Sequence, residues 1–262
     1  MSNHDINELF SQAADAGAIP VDSLAALTDL SSEIQNNLGV SAEDIPASEV
    51  FLLTMEIDDS SSIRMSGNSQ HVRDGHNFMI EVLAESNKGD DMLVHTTYLN
   101  GGTLFPFVLL KNATRLDARN FNPSGCTPLY DRTVATLGTV LAKEQEFANQ
   151  GVPVRTITLV VTDGEEYGSR KYDSDDVKKL VEQMLASENH IVAFMGIDDG
   201  KTDFRAVALA MGIPDQWILT PKNDGSSIRE AFGIASRAAK SASQGAGSFS
   251  STAIGGFDAG IS

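Results

Sequence analysis

Residues 50–62 read VFLLTMEIDDSSS, an apolar run that ends abruptly in two carboxylates and three hydroxyls. Within Val50–Ile57, Phe51, Leu52, Leu53, Met55 and Ile57 are apolar on both alternating faces. A strand covered by helices on both sides reads this way, as in a parallel sheet. Val154–Thr162 and Ile191–Ile197 repeat the pattern, and Gln216–Thr220 is a shorter version of it. Met92–Leu99 and Thr103–Leu110 flank Asn100, Gly101 and Gly102. Asn-Gly adopts positive φ at low cost, so this pair predicts an antiparallel hairpin. Helical segments are predicted near Gln70–Glu85, Pro128–Asn149, Ser174–Ser187, Thr202–Met211 and Ser227–Lys240. The alternation predicts an α/β fold: a doubly wound, mostly parallel six-stranded sheet with one antiparallel edge hairpin and helices on both faces.

Outside this zone, residues 49–240, the chain changes character. Residues 1–48 predict an acidic helical extension, with helices at Ile6–Ala16 and Val21–Leu38, Pro20 between them and Gly39 as a C-cap. Leu24, Leu27, Leu30, Ile34 and Leu38 form one apolar stripe that must dock on something. Residues 241–262, SASQGAGSFSSTAIGGFDAGIS, predict a flexible Gly/Ser-rich tail in which Phe249, Ile254 and Phe257 are the features able to fold on contact.

Charge and cysteine content narrow the function. The 262 residues carry 36 acids against 19 bases, a net charge of −17. Nucleic-acid backbones would be repelled, because their capture needs a basic surface. Residues 1–50 hold nine of the acids and no Lys or Arg, which suits a solubilising face, a self-docked cap or a contact with a basic groove. Cys126 is the single cysteine, so multi-cysteine metal sites and intrachain disulfides are excluded. No apolar run approaches the roughly 18 residues of a membrane span, and the N-terminus has no signal-like apolar region. A cytoplasmic location is the expectation.

Doubly wound sheets bind ligands beyond the carboxyl ends of their strands. Three such places are rich in oxygen: Asp58-Asp59-Ser60-Ser61-Ser62, Ser124-Gly125-Cys126-Thr127-Pro128, and Thr162-Asp163-Gly164-Glu165. Magnesium takes about six oxygen ligands and keeps some of its waters. Ser60 and Ser62, two residues apart, can turn into one loop concavity, and neighbouring strand ends would supply the rest of the shell. Singly, these pieces read equally as a helix cap and a turn.

Taken together, they resemble the von Willebrand factor A (vWA) domain with its metal-ion-dependent adhesion site (MIDAS). The signature Asp-x-Ser-x-Ser is met by Asp58, Ser60 and Ser62, the separate threonine by Thr127, and the later aspartate by Asp163. The resemblance covers residues 49–240. It implies Mg²⁺ or Mn²⁺ on Ser60, Ser62 and Thr127, with Asp58 and Asp163 binding directly or through water. It further implies an open position for an acidic side chain of a partner protein. Intracellular relatives of the fold often serve as adaptors for AAA+ ATPases of the MoxR or chelatase kind, or belong to stress and anti-phage defence complexes, so the expected function is a non-enzymatic, metal-dependent binding module. The alternative is an assembly protein whose metal only stabilises and whose termini mediate oligomers. Ser61 and Cys126 stand where many members have glycine.

Other chemistries have less behind them. A phosphatase using Asp58 as nucleophile would want a carboxylate where Ser60 stands. His4, His71, His76, His95 and His190 include no zinc-type pair, and neither a P-loop nor Gly-x-Ser-x-Gly occurs. Trp217 reads as core or strand edge, with interface anchoring as the other option. Glu165, Glu166 and Tyr167 would rim the metal face, selecting a partner or forming a solvated loop.

Overall fold

The computed structural model describes residues 5–85 and 91–260, so His4 and the last two residues of the tail segment lie outside the described residues. The chain opens with α1 (Ile6–Asp15), α2 (Leu24–Asp29) and α3 (Ser31–Asn37). There follow β1 (Val50–Ile57), α4 (Ser61–Met65), α5 (Ser69–Ala84), and the hairpin β2 (Met92–Tyr98) and β3 (Thr103–Leu109). Then come α6 (Leu129–Ala148), β4 (Val154–Thr162), α7 (Ser174–Ala186), β5 (His190–Gly196), α8 (Phe204–Ala210) and β6 (Ile218–Leu219). The last helices are α9 (Gly225–Ser243) and α10 (Ala246–Gly255).

The six strands form one sheet in the order β3-β2-β1-β4-β5-β6, parallel throughout except where β3 runs back along β2. Every residue of β1 and β4 is buried, the polar Thr54, Glu56, Arg155, Thr156, Thr158 and Thr162 included, as befits central strands covered on both faces. After β1 the chain moves to β2 on one side, and later returns to β4 on the other. The direction of winding therefore reverses between β1 and β4, and a crevice opens beyond their carboxyl ends. Asp58 and Asp163 directly follow these two strands.

Helix α6 packs on β1 and β4, while α5 and α9 pack together and α9 contacts β4. Gly75 lets α5 and α9 approach, since a Cβ there would lie 2.1 Å from the Phe232 ring. The described histidines expected to be site-neutral do structural work in three cases. His76 bonds Thr96 Oγ1 at 3.1 Å, His95 bonds the Phe105 carbonyl at 2.9 Å, and His190 bonds Thr156 Oγ1 at 2.7 Å. Burial holds the His76 and His95 imidazoles down to about 4, so both are neutral at pH 7. Trp217 is core: it is 1% exposed and stacks edge-on to Phe257 with centroids 4.9 Å apart.

The N-terminal helices form where expected, with the second broken into α2 and α3, and they are docked on the domain. Leu27 and Ile34 fill the space left by Gly138 of α6, where a Cβ would come within 2.6 Å of Leu27 Cδ2. Gly39, at φ 64°, turns the chain so closely against the Phe107 carbonyl that no side chain fits. Val40 N–H then donates to that carbonyl at 2.9 Å. Lys143, buried in α6, donates to Val40 O and to Glu146 Oε2, and Glu146 Oε1 accepts from Ala42 N–H at 2.9 Å. The acidic segment thus acts as a self-docked cap.

The expectation of a flexible tail at 241–262 is corrected. Helix α9 continues to Ser243, and α10 folds back beside it. Gly245 at φ 151° and Gly256 at φ 64° make turns that an L side chain would strain. Phe249 is 1% exposed, under the Arg155 guanidinium at 5.7 Å from its centroid, and Phe257 is buried against Trp217. The Gly/Ser composition permits close helix packing here rather than disorder. Phe249→Ala should lower unfolding free energy by about 3–5 kcal/mol in urea denaturation. An unchanged midpoint would restore the flexible-tail reading.

Candidate metal centre

The carboxyl end of β1 turns sharply at Asp58. Its Oδ1 accepts from Ser60 N–H at 2.7 Å, and its Oδ2 accepts from Thr162 Oγ1 at 2.6 Å and Asp163 N–H at 3.4 Å. Asp58 therefore ties the β1 loop to the end of β4. Ser60 is the N-cap residue of α4, yet its side chain caps nothing. Instead Ser60 Oγ lies 2.7 Å from Ser62 Oγ. The simple reading of these serines as a helix cap fails on this point.

Thr127 arrives from the loop before α6, fixed by a two-way backbone bridge with Tyr167, both bonds 2.9 Å. Gly164 marks where the hydroxyls meet: a Cβ there would lie 3.0 Å from Thr127 Oγ1 and 3.1 Å from Ser62 Oγ. Asp163 Oδ2 accepts from Ser66 Oγ at 2.7 Å and Asn68 Nδ2 at 3.3 Å, whereas Oδ1 is buried without a partner. Ser60, Ser62, Thr127 and Asp163 all line one cleft of about 430 Å³, with Asp58 buried behind it. The structure thus brings all five predicted residues to one place.

A hard divalent cation fits this donor set. The groups are hydroxyl and carboxylate oxygens, the chemistry of Mg²⁺ and Mn²⁺. The described residues contain no cluster of three His, Cys, Asp or Glu able to hold a metal, so a cation here would have to draw on the hydroxyls as well. The unpartnered Asp163 Oδ1 is the kind of buried acceptor a cation or its water satisfies. Burial pushes the Asp58 carboxyl up to about 6, against the bonds from Ser60 and Thr162. Glu56, two residues earlier in β1, is pushed by burial to about 7, opposed by Thr136, Thr133 and the Arg132 charge. A nearby cation would favour the charged form of either group.

Sequence reasoning missed the residues that hold the loops in register. Asn100, read only as part of a hairpin turn, donates through N–H and Nδ2 to Asp59 Oδ1, both at 2.9 Å. Its amide also pairs with the backbone of Cys126, accepting at 3.1 Å and donating at 2.9 Å. Ser61, in place of glycine, uses its Oγ to accept from Gly125 N–H at 3.0 Å, while its own N–H donates to the Gly125 carbonyl. Asp131 accepts from the backbone N–H groups of Arg170, Lys171 and Tyr172, pinning the loop after Asp163 to α6. Glu166 does similar work through Ser169 and Tyr130 N–H, so it is a loop brace rather than a free rim carboxylate. The signal for Asn100 was its position: the turn after β2 lies at the same end of the sheet as Asp58. Asn100→Ala should leave the fold intact but weaken Mn²⁺ binding by about 10- to 100-fold, read by calorimetric titration. Unaltered affinity would remove Asn100 from the supporting set.

No family model and no curated protein matches the sequence. Solved structures do share its architecture. The pilus adhesin SpaC from Lactobacillus rhamnosus GG aligns with a TM-score of 0.52 and 12% identity, over 74% of this chain and 31% of that one. Proximal thread matrix protein 1 from the mussel byssus, solved with a zinc-occupied MIDAS motif, gives 0.45 and 15% identity over 82% and 52% of the two chains. The manganese-loaded TRAP protein of Plasmodium vivax gives 0.42 and 19% over 71% and 74%. The chain spans 31% of the length of SpaC and 52% of that of the mussel protein. Its fold is that of a vWA domain. Asp58, Ser60, Ser62, Thr127 and Asp163 are the residues whose pattern in the sequence resembles the MIDAS signature.

Proposed function

We propose that this chain is a divalent-metal-dependent protein-binding module that captures a carboxylate of its partner. The observation that carries the reading is the meeting of Ser62, Thr127 and Asp163 at one open cleft, with the two hydroxyls beside Gly164 and Asp163 Oδ1 buried without a partner. Ser60, Ser62 and Thr127 would hold Mg²⁺ or Mn²⁺, with Asp58 and Asp163 direct or through water. The metal supplies a positive centre with an exchangeable position, and the partner's carboxylate takes it. The reading is non-enzymatic, with the metal serving only as a bridge to the partner. A cytoplasmic adaptor role, with an AAA+ ATPase of the MoxR kind as partner, is the family habit we carry over as the working choice.

Among the described residues no helix is long and apolar enough to cross a membrane. The assembly alternative has less to rest on, since both terminal segments pack back on their own domain. The test is a tagged pull-down from native lysate in Mg²⁺ and in EDTA, with Thr127→Val as a second bait. Partners kept by Mg²⁺ and lost from both controls support capture through the metal. The same partners in all three samples would assign binding to another surface.

A further inference from the structure

The rim of the metal cleft is more specific than the cleft itself. Six large apolar side chains stand in solvent among the described residues, and Met65 at 82% and Tyr167 at 72% exposure both line this cleft. Isolated exposed apolar groups are ordinary, but two on the rim of one polar concavity mark a contact surface. Neither hangs on a free loop. Met65 closes α4, the short helix that begins just after Ser60, and the adjoining Ser66 bonds Asp163. Tyr167 is stapled through its backbone to Thr127. Each apolar group is thus fixed to an element that carries a metal ligand.

The charge of the chain adds a second constraint. At −17, the protein repels an acidic partner at range, and Glu165 and Asp199 stand in the cleft wall. Lys201 is the cation among the described residues lining it. A carboxylate that reaches the metal therefore gains little from the surroundings and needs apolar contact nearby to stay. Tyrosine offers large area at low entropic cost, and methionine adapts to the shape it meets.

Resting on the metal-dependent reading above, we propose that the partner presents one Asp or Glu directly beside a bulky apolar residue, which packs against Met65 and Tyr167. The segment belongs to a surface that is otherwise neutral or basic. The probe is a displayed random heptapeptide library, captured on the full chain in MnCl₂ and eluted with EDTA. Eluted peptides should carry an acid next to Leu, Ile, Met or an aromatic residue. The Met65→Ser, Tyr167→Ser double variant should keep the Mn²⁺-induced rise in melting temperature and lose at least about tenfold in affinity for those peptides. Acidic peptides without an apolar neighbour, equal affinity in the double variant, or no elution despite a normal Mn²⁺ shift would each overturn this proposal and leave metal binding standing. No Mn²⁺ shift in the parent chain would instead bring down the metal reading, and this one with it.

Discussion

A chain that begins at Glu49 should fail to fold into a cooperative unit. Its expected behaviour is insolubility, or a melt without a sharp transition, in place of the single transition of the full chain. Ten apolar side chains between Ile6 and Ile45 are buried: Ile6, Leu9, Phe10, Ala13, Ile19, Leu27, Ile34, Leu38, Ala42 and Ile45. At about 1.5 kcal/mol each, the low end for a large side chain, the eight Leu, Ile and Phe residues represent about 12 kcal/mol. Part of that burial is internal to the segment. Yet the whole stability of a domain is only about 5–15 kcal/mol. Deletion also uncovers the notch at Gly138 and strips Lys143 and Glu146 of their contacts to Val40 and Ala42. A truncated chain that melts like the full one would show the acidic segment to be dispensable.

Thr127→Val should abolish the response to Mn²⁺ while preserving the fold. The substitution replaces one hydroxyl by a methyl group, and the Thr127–Tyr167 bridge uses only backbone atoms. In the parent chain, Mn²⁺ at a hundred times its dissociation constant should stabilise the native state by about 2.7 kcal/mol, seen as a raised melting temperature. In the variant that rise should vanish, with the metal-free melting temperature close to the parent's. An equal rise in both proteins would place metal binding elsewhere.

The legibility of this fold followed burial. Val50–Ile57 and Val154–Thr162 were read to the residue because central parallel strands are rich in apolar residues on both faces, even with Thr54, Glu56, Arg155, Thr156, Thr158 and Thr162 among them. The last strand was read too long. After Pro214 the chain makes a tight 3₁₀ turn over Asp215–Trp217, leaving Ile218–Leu219 to pair with β5. The residues the sequence singled out as a candidate metal set were legible by place: Asp58 and Asp163 directly follow β1 and β4, Ser60 and Ser62 lie at the start of α4, and Thr127 stands in the loop just before α6. Asn100 and Ser61 were not, because their task is to bond backbone in loops distant in sequence. The tail was misread because composition weighs its glycines and serines above Phe249 and Phe257, the residues that anchor it. Docking of the N-terminal stripe was open in the sequence for a related reason. Its receptor is an absence, the missing side chain of Gly138, inside a helix that otherwise looks ordinary.

The measurement that bears most directly on the central claim is anomalous diffraction at the manganese edge from crystals grown with MnCl₂. The account predicts one strong peak within coordination distance of Ser60 Oγ, Ser62 Oγ and Thr127 Oγ1, with Asp58 and Asp163 in contact directly or through water. A cleft without a peak under saturating Mn²⁺, or a peak bound by other side chains, would contradict it.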